Sequence, residues 1–231
     1  MTYLHRKFAI QKNSKLKLNK DFYCGYSPER VNPGDDKRTI EKIVKVTSGS
    51  NKKAAKLVDD IYNQVINAGT YMAESIKIAE MSKVIENTQR DLNIGLMNEI
   101  ALICNKLKID TNSVLSAAKS KWNFLDFYPG LVGGHCISVD PYYLTFKSKQ
   151  ISYNPELILA ARKMNDNLPT FIANQIIQGL IDKNIRVRGS KLLILGITFK
   201  ENVSDIRNSK IITIIKILLR KGIKVNFYDP M

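Results

Sequence analysis

From Ala73 to Leu107 the apolar residues Ile78, Met81, Ile85, Leu92, Leu96, Ile100, Ile103 and Leu107 recur at intervals of three, four or seven, the period of one helix face. The spacing predicts one helix of about 35 residues, about 50 Å long at 1.5 Å per residue. That exceeds what the core of one domain can bury. It suits a strut between domains or a face that receives a second chain.

The elements on either side are shorter. Residues 1–20 are basic and weakly patterned, and fraying is expected. Asp21–Tyr26 (DFYCGY) and Ile43–Thr47 (IVKVT) read as strands. Between them SPERVNPGDD (27–36) is a turn built on Pro28, Pro33 and Gly34. Asn51–Asn67 has helical spacing through Ala55, Val58, Ile61, Tyr62 and Val65. Beyond the long helix the pattern predicts a helix over Asp110–Lys119 with Thr111 as its cap. A glycine-rich loop over Lys121–Asp140 follows, then two helices, Pro155–Asn165 and Pro169–Lys183. The period then changes. Lys191–Gly196 (KLLILG) reads as a continuous apolar strand of the buried parallel kind. A loop, a helix over Lys210–Lys221 stopped by Gly222, and a strand over Lys224–Tyr228 complete one βαβ unit.

Composition narrows the class. Of 231 residues, 44% are hydrophobic and 25% charged, ordinary values for a globular chain that buries a core. The formal charge is +15, but lysines outnumber arginines 27 to 9 and are dispersed. Base and phosphate readout favours arginine, so a basic surface for anionic small ligands is expected rather than nucleic-acid binding. Cys24, Cys104 and Cys136 form no C-x-x-C pair. Neither a disulfide framework nor a zinc site or other metal centre is expected. The longest near-apolar run, Ile211–Leu219, is broken by Lys216, far below the roughly 20 residues a bilayer needs. With no apolar leader in the first residues, a cytoplasmic address is expected and membrane contact is not.

The segment Gly130-Leu-Val-Gly-Gly-His-Cys-Ile-Ser-Val-Asp140 is the most informative. Adjacent glycines allow a sharp turn or close approach to a ligand. A cysteine after such a turn can stand near a helix N-terminus, where dipole and N–H groups favour a thiolate. A helix starting here would put Asp140 one turn from Cys136. A small cysteine packed in a glycine turn fits the local pattern equally well. His135 is a poor base for its neighbour, because adjacent side chains diverge. Lys83 and Asn87, four apart on the long helix, could grip a carbonyl oxygen or a water, although that spacing alone favours a solvated face. Glu29, between Pro28 and Arg30, reads alone as a surface carboxylate. Gly196-Ile-Thr-Phe-Lys200 and Arg207 lie in a strand-to-helix loop of the sort that takes phosphates.

Together GYSPERVNPGD (25–35), IKIAEMSKVIENTQRDLNIGLMNE (76–99), KWNFLDFYPGLVGGHCISVDPYYL (121–144) and LLILGITFKENVSDIRNSK (192–210) resemble the UDP-glucose/GDP-mannose dehydrogenase family, in order and separation. The first and third resemble its UDP-N-acetylhexosamine branch (galactosamine, glucosamine or mannosamine). The resemblance implies oxidation of a sugar C6 alcohol to a carboxylate by two NAD+, in surface polysaccharide biosynthesis. Cys136 would match the nucleophile that holds the aldehyde as a thiohemiacetal and then a thioester. Lys83 would match the oxyanion-stabilising lysine, and Asn87 and Asp140 the groups that position the hydrolytic water. Glu29 would match the turn glutamate. Lys200, Gly133 and Gly134 would meet the UDP-sugar, and Arg207 the cofactor. The family's second turn glutamate falls at Pro33, so that role is not carried over.

The implied fold is α/β with a central all-α domain, in which remnants of two Rossmann-like parallel-sheet domains flank a long-helix dimerisation domain. Residues 1–72 would be the later part of the NAD-binding domain, 73–168 the central domain carrying the cysteine, and 169–231 a connecting helix and the start of the UDP-sugar domain. Members open on a strand–GxGYxG–helix unit, whereas no two glycines here are spaced i, i+2. The chain therefore reads as shortened at both ends, and alone is expected to lack NAD-dependent turnover. The alternative is an inactive product that keeps only the dimerisation domain, as a homodimer.

Overall fold

The computed structural model describes residues 9–35 and 37–230. Residues 1–8, part of the stretch expected to fray, and Asp36 of the SPERVNPGDD turn lie outside the described residues. Residues 9–14 are helical rather than frayed. The chain divides into two compact units, one ending at Glu86 and the other starting at Asn87.

The first unit is built on a three-stranded sheet, order β1 (Gly25–Tyr26), β2 (Lys45–Gly49), β3 (Thr70–Met72). β1 pairs antiparallel with β2, and β2 parallel with β3. The strand expected over 21–26 shrinks to two residues, and β3 has no strong pattern in the sequence. The crossover helix α1 (Lys52–Asn63) is capped by Asn51, whose side chain accepts the Ala54 N–H. Val46, Ala73 and Ala79 form its small apolar core.

Helix α2 (Ile76–Leu107) runs 32 residues, close to the length the periodicity predicts. Its burial is not what the apolar stripe predicts. Ile78, Met81, Ile85, Leu96, Ile103 and Leu107 are exposed, whereas Asn87, Asp91 and Asn98 are buried. The apolar stripe thus faces away from the chain's own core, and a polar one faces in.

In the second unit, α3 (Thr111–Lys119) starts one residue after its cap, which is Asp110 and not Thr111; the Asp110 carboxylate accepts the Ser113 N–H. Helix α4 (Asp140–Gln150), unmarked by apolar spacing, follows the glycine loop. Next comes one helix, α5 (Glu156–Asp182), where two were expected. Pro169 lies inside it, fully buried. The lost backbone bond is outweighed by packing, so the proline does not end the helix. Strands β4 (Lys191–Leu195) and β5 (Lys224–Tyr228) pair in parallel, joined by α6 (Lys210–Arg220). Gly222, at φ +81°, ends α6 as expected. Leu192 and Val225 pack on the core of Ala173, Ile214, Leu218 and Ile223 between α5 and α6. The strand read as buried is covered on that face only, and Leu193 and Leu195 are exposed. A parallel strand is buried on both faces only when helices cover both. Among the described residues no helix is long and apolar enough to cross a membrane.

Candidate active site

The glycine segment forms a strap from Gly130 to Asp140 that lies over the buried polar face of α2. At its start, the Asn98 carboxamide grips both backbone groups of Gly130: the Gly130 N–H donates to Oδ1 at 2.8 Å, and Nδ2 donates to the Gly130 carbonyl at 3.0 Å. At its end, Asn87 Nδ2 donates to Asp140 Oδ2 at 2.6 Å. Two sequence-selected residues 53 positions apart are therefore partners. Asn87 is 9% exposed, which overturns the solvated-face reading.

Cys136 is exposed and stands one turn before α4. Its carbonyl accepts the N–H groups of Val139 (3.0 Å) and Asp140 (2.8 Å), which extends the helical turn back to the cysteine. It is not a small cysteine packed away in the glycine turn. The Ser138 hydroxyl donates to the Gly134 carbonyl at 2.6 Å, and Asn208 Nδ2 donates to the same oxygen at 3.0 Å. Gly134 is at φ +80°, and a Cβ there would sit 2.8 Å from the Phe199 ring. A Cβ at Gly133 would meet the Asn208 carbonyl at 2.9 Å. Both glycines thus let the strap lie flush on the 199–209 loop.

That loop brings charge to the thiol. Asp205 Oδ1 accepts from Arg207 Nε at 3.1 Å and Oδ2 from Nη2 at 2.6 Å, a bidentate pair. His135 Nδ1 is 3.9 Å from the same carboxylate, and the His135 ring meets Phe199 edge-on at 6.2 Å. Hydrogen bonds from Arg207 hold the Asp205 carboxyl down at about 2. Asp205 in turn strengthens the hold of Arg207 on its proton, and the Cys136 sulfur adds to this by charge, so the thiol is within electrostatic reach of the guanidinium. Lys200 is half-buried on the loop, and its carbonyl accepts the Thr198 hydroxyl at 3.1 Å.

Beneath the strap runs a buried polar network with no apolar signal. Arg162, 2% exposed, donates to Asp91 Oδ1 and to Asp166 Oδ1, each at 2.6 Å. Asn165 Nδ2 donates to Asp91 Oδ1 at 2.8 Å, and Asn98 Nδ2 donates to Asn165 Oδ1 at 2.8 Å. Asp166 also receives Lys210 Nζ at 2.8 Å and the Tyr142 hydroxyl, tying α4 and α6 to α5. Burial raises the Asp91 carboxyl despite Arg162 beside it, and its Oδ2 has no hydrogen-bond partner. Burial also works against the Asp166 charge, but Lys210, Tyr142 and Arg162 together hold it below the ordinary range. The one clue in the sequence is the spacing: Asn87, Asp91 and Asn98 fall at intervals of four and seven, a helical face made of polar residues.

In the first unit, Lys83 is half-buried on α2, four residues before Asn87. Glu29 is exposed in its turn, where its Oε1 accepts the N–H groups of Arg30 and Val31, both at 2.7 Å. Its Oε2 lies 3.5 Å from Lys45 Nζ. Slight burial works against its charge, but these two N–H groups and Lys45 bring the carboxyl below the ordinary range. Arg30 Nε reaches Glu86 at 2.9 Å, and Nη1 donates to the Val44 carbonyl at 2.8 Å.

A dinucleotide cradle is not made by the described residues. The strand-to-helix turn β2–α1 is filled by its own backbone: a Cβ on Gly49 would lie 2.2 Å from the Ala55 nitrogen, and Asn51 already takes the Ala54 N–H. Arg207 offers an exposed cation for such a cofactor but no enclosure, so the chemistry ascribed to this chain is that of its own side chains.

An exposed thiol on a glycine turn thus stands one turn from an amide–carboxylate pair, and a parallel βαβ unit follows it in the chain. The chain belongs to the UDP-glucose/GDP-mannose dehydrogenase family: residues 77–167 match its central domain and residues 193–231 its UDP binding domain. It is 59% identical over 221 residues to UDP-N-acetyl-D-glucosamine 6-dehydrogenase of Salmonella typhi, covering 96% of this chain and 52% of that protein. The protein of the same name from Pseudomonas aeruginosa is 52% identical over 222 residues, covering 96% and 53%. Among solved structures, the UDP-D-ManNAc dehydrogenase of Pyrococcus horikoshii superposes with a TM-score of 0.89 at 30% identity, covering 99% of this chain and 54% of that one. The chain spans about half the length of the relatives it matches.

Proposed function

We propose that this chain carries the covalent chemistry of a UDP-N-acetylhexosamine 6-dehydrogenase, with UDP-N-acetylglucosamine as the substrate. The exposed Cys136 on its strap, one turn from the Asn87–Asp140 pair, is the observation that carries this reading. The higher identity to proteins named for the glucosamine sugar than to those named for mannosamine, 59% against 38%, supports the choice of sugar.

The thiolate of Cys136 adds to the C6 aldehyde; the S–C bond forms as the C=O π pair moves to oxygen. The ammonium of Lys83 is assigned to that oxyanion by the resemblance. In the family reaction NAD+ is the hydride acceptor, twice per sugar, so the oxidation is its contribution. The resulting thioester is opened by water, whose proton passes to the Asp140 carboxylate held by Asn87. Collapse of the tetrahedral oxyanion expels the Cys136 thiolate and releases the carboxylic acid, which ionises to the carboxylate by giving its proton to water. Gly133, Gly134 and Lys200 are assigned to the UDP-sugar, Arg207 to the cofactor, and Glu29 to the site from its own turn.

The division into 1–72, 73–168 and 169–231 belongs to the same reading and is supported by the family matches at 77–167 and 193–231. So does a homodimer through the central helices, supported by the exposed stripe Ile78–Leu107 on α2. Cytoplasmic surface-polysaccharide synthesis is the setting these assignments fit.

A UDP-linked haloketone tests the reading without turnover, because the thiolate displaces halide to form a stable thioether. Cys136 is expected to be labelled ahead of Cys24, with UDP protecting it. Equal labelling of Cys24, or no protection by UDP, overturns the assignment. NADH release by the chain alone is expected to be absent, since no glycine pair fit for the pyrophosphate turn occurs in the sequence. Robust NADH formation would overturn that expectation.

A further inference from the structure

We propose that Asn98 is a positioning residue for the Cys136 thiol: its carboxamide pins the start of the strap at Gly130 while Asn87 pins the end at Asp140, so one face of α2 sets where the sulfur stands. The inference rests on the reading of Cys136 as the nucleophile. It concerns a residue that touches neither substrate nor sulfur.

The geometry is particular. Asn98 makes three hydrogen bonds, two to the backbone of Gly130 and one to Asn165. It is fully buried, so water cannot replace them. Asn87 and Asn98 are eleven residues apart on α2, about 16 Å along the axis at 1.5 Å per residue. The strap's two anchored residues, Gly130 and Asp140, are ten positions apart. Asp91 lies between the anchors and fixes Arg162, which reaches through Asp166 to Tyr142 on α4. Helix α2 approaches α5 closely at Gly95, where a Cβ would stand 3.3 Å from the Ala161 Cβ. The ladder is therefore backed by a tight helix contact and resists sliding. A strap held at both ends has its mid-point fixed. The mid-point carries Gly133, Gly134 and His135, set against Asn208, Phe199 and Asp205 of the 199–209 loop, and Cys136 directly after them.

The test uses the full chain and the reactivity of its own thiol. Asn98→Leu keeps the branched shape of the side chain and removes both bonds to Gly130; Asn98→Asp keeps only the bond from the Gly130 N–H. Iodoacetamide labelling of Cys136 is followed by mass spectrometry across pH. With Asn98→Leu the rate at neutral pH is expected to fall about tenfold, and the pH of half-maximal reactivity to rise, as the sulfur leaves the reach of Arg207. Asn98→Asp is expected to fall between that variant and the parent. Leu115→Ala, which opens a buried site on α3 away from the ladder, is expected to lower stability and leave the profile in place. An unchanged profile in Asn98→Leu, or an equal shift in Leu115→Ala, overturns the proposal. If Asn98→Leu does not fold, the Asn98→Asp profile decides in the same way. Failure of the UDP-haloketone experiment would remove the catalytic reading and leave this profile untouched, so the two failures are distinguishable.

Discussion

Of the segments that carry candidate site residues, the turn around Glu29 and the strap around Cys136 are held in different ways. The turn around Glu29 organises itself: Glu29 accepts the N–H groups one and two residues on, and Asp35 those of Lys37 and Arg38, two and three residues on. The strap around Cys136 is held from far away in sequence, by Asn98 32 residues back, Asn87 53 back and Asn208 74 ahead of Gly134. A local turn is written in adjacent residues, whereas a strap of glycines has no shape until other elements supply its partners. It follows that damage to the buried network should disturb the strap at a distance, and damage to the Glu29 turn should stay where it is made.

Arg162→Met should give the largest effect. It strands Asp91 without its partner in a site where both are buried, and breaking such a pair costs about 3–5 kcal/mol. Urea unfolding would measure it; a loss below about 1 kcal/mol would show that the network is not what holds the strap. Asn87→Leu should cost less, about 1–3 kcal/mol for the lost partner of a part-buried carboxylate. Amide exchange should then quicken over 136–140 and not over α3. Glu29→Ala should cost no more than about 0.5 kcal/mol, because the carboxylate is largely exposed and screened. Its contribution is present above the ordinary carboxylate value and is lost as pH falls from there through the lower folded value. The smallest effect belongs to Asp205. Its carboxyl carbon should titrate at about 2 by NMR, and Arg207→Gln should bring the midpoint back towards 3.8. The clamp is intact above that ordinary value and is lost as pH falls towards 2. A midpoint near 3.8 in the parent would mean that Arg207 does not hold Asp205 in solution.

Much of this was legible in the residues. The period of Ile78 to Leu107 predicted α2 nearly to its ends. The βαβ unit over 191–228 and its glycine stop were placed by pattern alone. Cys136, Asn87 and Asp140 stand out in the sequence, and the last two are hydrogen-bonded partners. Burial was the quantity that misled. Leu193 and Leu195 read as core but have a helix layer on one side only. Asn87 reads as solvent-facing from its spacing but is buried together with Asp91 and Asn98, because Asp140, Arg162, Asn165 and Gly130 meet them from other elements. Pro169 marked a break that packing overrode.

The sequence by itself determined the local conformations: which stretches are helical, where glycine must turn, and which thiol follows such a turn. These follow from backbone sterics and from the spacing of side chains along one element. Only the tertiary structure decided which polar groups leave water and what they meet there. A buried amide is tolerable only when every partner is in place, and those partners lie tens of residues away on elements that sequence order does not bring together.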